Sequence, residues 1–127
     1  MLVRSTRFRL EYNLCATFAI RSDASVKSVG QDRFYKTDLD KTLKAKGITT
    51  LILTGWKVSG SVVYTSVGAT LRGYTVVVPT DASLAATDYE VTIGQFQILN
   101  QNSANATNEP LKPNASTLSR ADMIVFQ

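Results

Sequence analysis

The stretch Thr54-Gly-Trp-Lys-Val-Ser-Gly-Ser61 stands between an apolar run and a helical pattern, and it is the part of the chain best suited to chemistry. At such a junction the first turn of the helix carries free backbone N–H groups and a partial positive charge, so an anion or a developing oxyanion can be held there. Ser61 falls in that first turn, with Trp56, Lys57, Ser59 and Gly60 around it. Serines at this position also cap helices, and the residues alone leave both roles open. Composition narrows the chemistry further. With no histidine and one cysteine among 127 residues, Ser-His-Asp and Cys-His catalysis, His-rich and Cys-rich metal sites and an intramolecular disulfide are all excluded. No metal and no cofactor is expected.

The elements that position this turn follow from punctuation and periodicity. Thr37-Asp-Leu-Asp40 reads as a helix start, Leu39 and Leu43 share a face, and Gly47 stops a helix over about 38–46. Residues 48–54 (ITTLILT) form a nearly continuous apolar run, as in a strand buried on both faces of a parallel sheet. A second helix is expected over 59–72, with Val63, Val67 and Leu71 at four-residue spacing and Gly73 at its end. Gly60 and Gly68 within it point to close backbone packing. Residues 74–78 (YTVVV) are the next buried strand, closed by Pro79, and Asp81 beyond it reads as a turn residue. Thr87-Asp-Tyr-Glu90 opens a third helix through Leu99, residues 100–114 read as a surface loop, and Ser119-Arg-Ala-Asp122 is a further capping pattern before the apolar run 123–126. Strand, helix, strand in this order predicts an α/β three-layer unit in which 48–54 and 74–78 are parallel and joined by a right-handed crossover. In such sheets ligands bind beyond the carboxyl ends of the strands, where the turn 54–61 lies.

The first 36 residues are less orderly. Phe8, Leu10 and Tyr12 alternate as in a half-buried strand, and Val26 suits another short strand. The chain carries 14 Lys plus Arg against 10 Asp plus Glu, a net charge of +4, and three of those charges are Arg4, Arg7 and Arg9. The remainder is nearly neutral, so a nucleic-acid face is disfavoured. No run approaches the roughly 20 apolar residues of a membrane span, and no membrane partner is expected. The expected location is cytoplasmic. Secretion is the alternative, because the basic start with the short apolar run 14–20 loosely imitates a secretory signal and Asn105-Ala-Thr107 and Asn114-Ala-Ser116 fit the glycosylation pattern.

From Ser25 to Phe126 the chain resembles the isochorismatase-like hydrolase family, the cysteine hydrolases that include nicotinamidases and isochorismatases. The resemblance rests on VKSVGQDRFYKTDLDKTLKAKGITTLILTG, WKVSGSVVYT, ATLRGYTVVVPTDA and a terminal STLSRADMIVF, in that order and spacing. It implies a Rossmann-like isochorismatase topology with a mostly parallel sheet. It also implies that the family's catalytic lysine falls on Lys27, its nucleophile on Ser61, and its often cis peptide bond between Trp56 and Lys57. The domain would occupy 25–127, with 1–24 a divergent segment that leaves the fold N-terminally incomplete. Cys15, outside the matching region, reads as a small apolar residue without a chemical role.

Two departures direct the functional expectation. The nucleophile position holds Ser61 instead of cysteine, and nothing in residues 1–24 matches the family's V-I-D-x-Q aspartate segment. A helix N-terminus and a lysine can turn a thiol into a thiolate, whereas a serine hydroxyl needs a positioned base. The leading expectation is a catalytically degenerate isochorismatase-like domain, a pseudoenzyme that binds a small-molecule ligand or a protein partner. The alternative is a hydrolase of amide- or ester-like bonds using Ser61 with Lys27 as base, provided the lysine is desolvated enough to be neutral. Loss of the aspartate strand would leave 48–54 an edge, with three outcomes open: residues 8–20 fill it, another copy pairs there, or the chain is a truncated product that folds poorly; a homo-oligomer is expected. A third reading is weak nucleic-acid binding through Arg4, Arg7 and Arg9. Under it, affinity for a DNA or RNA duplex falls steeply with salt and vanishes on deletion of residues 1–10, and a filter-binding titration against salt that shows flat or absent binding rejects it.

Overall fold

The computed structural model describes residues 2–4, 10–13, 17–20, 24–101, 104–107 and 111–124, with side chains placed from residue 27 onward. Phe8, Cys15, Arg7 and Arg9 lie outside the described residues.

The central four-stranded sheet has the order β1-β5-β7-β9, built from β1 (Leu2–Arg4), β5 (Thr50–Ile52), β7 (Thr75–Pro79) and β9 (Ser116–Ser119). The apolar run 48–54 supplies β5, which pairs in parallel with β7 in the register Thr50↔Thr75 to Ile52↔Val77. Every residue of β7 is buried, as a strand covered on both faces requires. The crossover between them consists of a π-helical turn (Val58–Val62) and helix α2 (Val63–Thr70), so the expected continuous helix over 59–72 begins in a wider coil. Helix α1 (Leu39–Ala45) and helix α3 (Asp88–Asn100) fall where the capping signals put them. Gly47 and Gly73 follow α1 and α2 in the left-handed conformation, at φ 65° and 87°.

Three features depart from the sequence reading. The free edge of β5 is covered by β1, antiparallel through Leu2↔Ile52 and Arg4↔Thr50, and not by residues 8–20. Those residues contribute β2 (Leu10–Asn13) and β3 (Thr17–Ile20), which join β4 (Ala24–Lys27) in a separate antiparallel sheet. The third departure is β9, which pairs in parallel with β7 from Val76↔Ser116 to Pro79↔Ser119 and which no apolar run announces. Ser116 and Thr117 enter the interior because each finds a partner there. The hydroxyls of Ser66 on α2 and Ser116 lie 2.6 Å apart, and the Gln101 amide donates to both. Asn105, only 3% exposed, donates from its amide to the Thr117 hydroxyl at 3.1 Å, so in the folded chain the acceptor asparagine of this glycosylation triplet is enclosed. The capping pattern at 119–122 produces only the short 3-10 turn Ala121–Met123.

Leu39 and Leu43 of α1, Leu51, Val76 and Val78 of the sheet, Val58 and Ile98 form one buried cluster. Phe34 and Tyr74 stack within it at 5.7 Å between ring centroids, and the Arg72 guanidinium covers the outer face of Phe34 at 4.9 Å. Gly68 of α2 makes room for the loop after β4, since a Cβ there would lie 2.6 Å from the Asp32 carboxylate. No helix among the described residues is long and apolar enough to cross a membrane.

The Tyr74 hydroxyl donates to the Asp40 carboxylate at 2.9 Å, and the Lys44 ammonium approaches the same group at 2.9 Å. Burial works against ionisation of Asp40, but these two hydrogen bonds and the charges of Lys44 and Arg72 outweigh it and hold the carboxyl below its ordinary value. Burial first, then the bond to Asp40, pushes the Tyr74 phenol well up. A depressed carboxyl stabilises the fold above its unfolded value, near pH 4, and that stabilisation is lost as pH falls through the lower folded value. Tyr74→Phe should therefore cost about 1 kcal/mol in urea unfolding at pH 7, with the cost shrinking at pH 3.

Candidate functional site

Beyond the carboxyl ends of β5 and β7 both chains turn and pair again. Gly55 and Trp56 form β6 and Ser83 and Leu84 form β8, parallel with Gly55↔Ser83 and Trp56↔Leu84. The buried Ser83 hydroxyl points back to the Leu53 carbonyl at 3.5 Å, so the second pairing is anchored on the first. Residues 54–61 and the loop leading to α3 thus meet at one end of the sheet, as the strand order predicts.

Within the turn, the peptide bond between Trp56 and Lys57 is cis, at the position the family resemblance indicated. The N–H groups of Gly60 and Val62 both donate to the Lys57 carbonyl, at 3.1 and 3.3 Å, and begin the π-helical turn. The Ser59 hydroxyl is buried and has no hydrogen-bond partner among the described residues. Ser61 is half-buried in the following position, Gly60 is buried, and Trp56 is 42% exposed at the rim. Lys27 ends β4 and is exposed. Among the described residues no hydrogen bond or ion pair joins Lys27 to Ser61.

Two residues that sequence reasoning did not single out complete the site. Glu90 was legible only as half of a capping box. Its N–H does donate to the Thr87 hydroxyl at 3.2 Å, but its carboxylate passes over the expected partner. One oxygen accepts from the Ala86 N–H at 3.0 Å, and the other pairs with the Lys57 ammonium. This ion pair ties the turn after β5 to the start of α3. Gln31 arrives from the loop after β4, where its carbonyl accepts from the Thr65 hydroxyl at 3.2 Å. Its side-chain amide nitrogen lies 3.6 Å from where a Cβ on Gly60 would stand, beside the stem of Lys57. No sequence signal links Gln31 or Glu90 to the turn, because both contacts span more than 25 residues and depend on the crossover. Asp81, exposed on the loop after β7, accepts from the Ala121 N–H at 2.9 Å and holds the 3-10 turn in place, in keeping with its reading as a turn residue. Among the described residues no group of three His, Cys, Asp or Glu side chains could hold a metal ion. A hollow of about 390 Å³ on α1, lined by Asp38, Lys41, Thr42, Ala45 and Lys46, includes none of these residues.

The family model for the isochorismatase domain matches residues 13–108. The chain belongs to the isochorismatase family. Solved structures place the same fold beside it. An isochorismatase-like hydrolase from Alkaliphilus metalliredigens is 24% identical with a TM-score of 0.61, over 76% of this chain and 46% of that one. An N-carbamoylsarcosine amidase from Thermoplasma acidophilum is 26% identical with a TM-score of 0.58, over 77% and 48%. The nicotinamidase SaPncA from Staphylococcus aureus is 21% identical with a TM-score of 0.57, over 59% and 47%. This isochorismatase domain therefore spans less than half the length of the structures it resembles. No curated protein matches the chain.

In this member the site turn also packs on α3 backbone to backbone at Gly94. A Cβ on Gly94 would lie 2.8 Å from the Ser59 nitrogen and 2.8 Å from the Val58 carbonyl carbon, both backbone atoms that cannot swing aside. Gly94→Ala should destabilise by about 1–3 kcal/mol in denaturant unfolding, although alanine is the better helix former by about 1 kcal/mol. Because Trp56 is the sole tryptophan, its emission should shift in the same variant as the turn is displaced.

Proposed function

We propose that this isochorismatase domain binds a small planar ligand at the turn 54–61 and does not turn it over. The observation that carries the reading is the Ser61 hydroxyl, which meets no base among the described residues. An uncharged serine is a weak nucleophile until a neighbouring group takes its proton. Lys27, the lysine the family resemblance offers, is exposed and makes no hydrogen bond to Ser61 among the described residues, whereas a serine nucleophile needs its base positioned beside it. Lys57 is nearer in sequence but is committed to Glu90. The elements of a binding site remain: the Ser59 and Ser61 hydroxyls, the Gln31 amide and the indole of Trp56, an aromatic surface on which a flat ligand can stack. The relatives named as nicotinamidases suggest nicotinamide as the first probe.

The reading is tested with the whole chain. Incubation with a fluorophosphonate followed by intact-mass measurement should leave the mass unchanged, and ammonia release from nicotinamide should be no faster than for Ser61→Ala. Nicotinamide should nevertheless quench Trp56 emission saturably. Labelling at Ser61 that disappears in both Ser61→Ala and Lys27→Met would establish the alternative, an amide or ester hydrolase using that pair.

A further inference from the structure

We propose that Glu90 determines the charge of the ligand this site accepts: by holding the Lys57 ammonium it turns the crevice against carboxylates and leaves it to uncharged hydrogen-bonding ligands. The proposal deepens the ligand-binding reading above and rests on it.

Lys57 is the only cation within residues 54–61. A ligand carboxylate entering beside Ser59 and Ser61 would seek that ammonium, but Glu90 already occupies it. The Glu90 side chain is 24% exposed and both its oxygens are engaged, one by Lys57 and one by the Ala86 N–H. Its carboxylate is held from two sides, so an incoming anion meets a like charge at this point. Two further acids lie in the neighbouring elements. Asp88 lies in the first turn of α3, and Asp81 is held in the neighbouring loop by the Ala121 N–H. The remaining polar groups at the turn are neutral: the Ser59 and Ser61 hydroxyls and the Gln31 amide can both donate and accept, which suits a carboxamide and gives a carboxylate no compensating charge. Trp56 and Leu84, opposite each other in the β6–β8 register and both exposed, supply an apolar wall for a ring.

The test is a pair of Trp56 fluorescence titrations with nicotinamide and nicotinate, ring-matched ligands that differ in charge. The wild-type chain should prefer nicotinamide by at least about tenfold, the scale of one partly exposed charge contact. Glu90→Gln keeps an oxygen for the Ala86 N–H and removes the charge. It should bind nicotinate at least about tenfold more tightly than wild type does, and Lys57→Met in the Glu90→Gln background should abolish that gain. Thermal unfolding of each variant confirms that it is folded. Equal binding of the two ligands by wild type, or no gain for nicotinate in folded Glu90→Gln, overturns charge selection while leaving the ligand-binding reading in place. Absence of binding by either ligand to every variant overturns both.

Discussion

The parallel ladder between β5 and β7 is the constraint on which the rest of the structure depends. Parallel strands cannot be joined by a tight turn, so the chain must cross over through a helix, and that requirement creates the 54–70 segment. Both strands are almost wholly enclosed, and their ends therefore open at a common level. From there the two outgoing chains can pair once more, as β6 and β8, before they diverge into α2 and α3. The site is the space defined by that divergence. Its residues come from three loops because three connections arrive at this end, after β4, β5 and β7.

Close approach of backbones sets the precision of the arrangement. Gly94 admits the Val58–Ser59 backbone to the surface of α3, and Gly68 admits the Asp32 carboxylate to α2. Neither contact is strong in itself. Their effect is to leave the turn after β5 little freedom to move relative to α3, so that the side chains of Lys57 and Glu90 meet over a short span. A weak, partly exposed ion pair would contribute little between mobile elements, because ordering two long side chains costs as much as the attraction returns. Between elements already fixed by glycine contacts, only the side chains' own ordering cost remains to be met.

Much of this organisation was legible in local sequence and some of it was not, for physical reasons. Helix starts are local: Thr87 caps α3 within three residues of its own bond to the Glu90 N–H, and the glycines after α1 and α2 report left-handed backbone directly. The strands 48–54 and 74–78 were legible because burial on both faces demands an apolar run. Strand β9 was not, since Ser116 and Thr117 are admitted to the interior by partners on α2, at Gln101 and at Asn105, and those partners are known only once the chain is folded. The pairing of β1 with the edge of β5 was hidden for a related cause, because three residues carry no periodicity. Within the site, the turn 54–61 stood out by its place after a strand. Glu90 and Gln31 did not, since their roles arise from the crossover and not from spacing.

Where the family resemblance places the nucleophile, serine and cysteine would draw different benefit from the same geometry. A cysteine in the first turn of a helix gains from the backbone dipole, which favours the thiolate over a neutral thiol of moderate pKa. The same field acts on Ser61, but a serine hydroxyl lies too far from ionisation for half a charge at a helix terminus to matter. Among the described residues no base bonds to the two serine hydroxyls of the turn, and the Lys57 ammonium is paired with Glu90 of α3. Under the proposed reading, an environment suited to activating a thiol presents neutral donors and acceptors on a rigid frame. Recognition needs that rigidity as much as catalysis does, so the glycine contacts and the paired strand ends would serve a bound ligand as they would serve a reacting one.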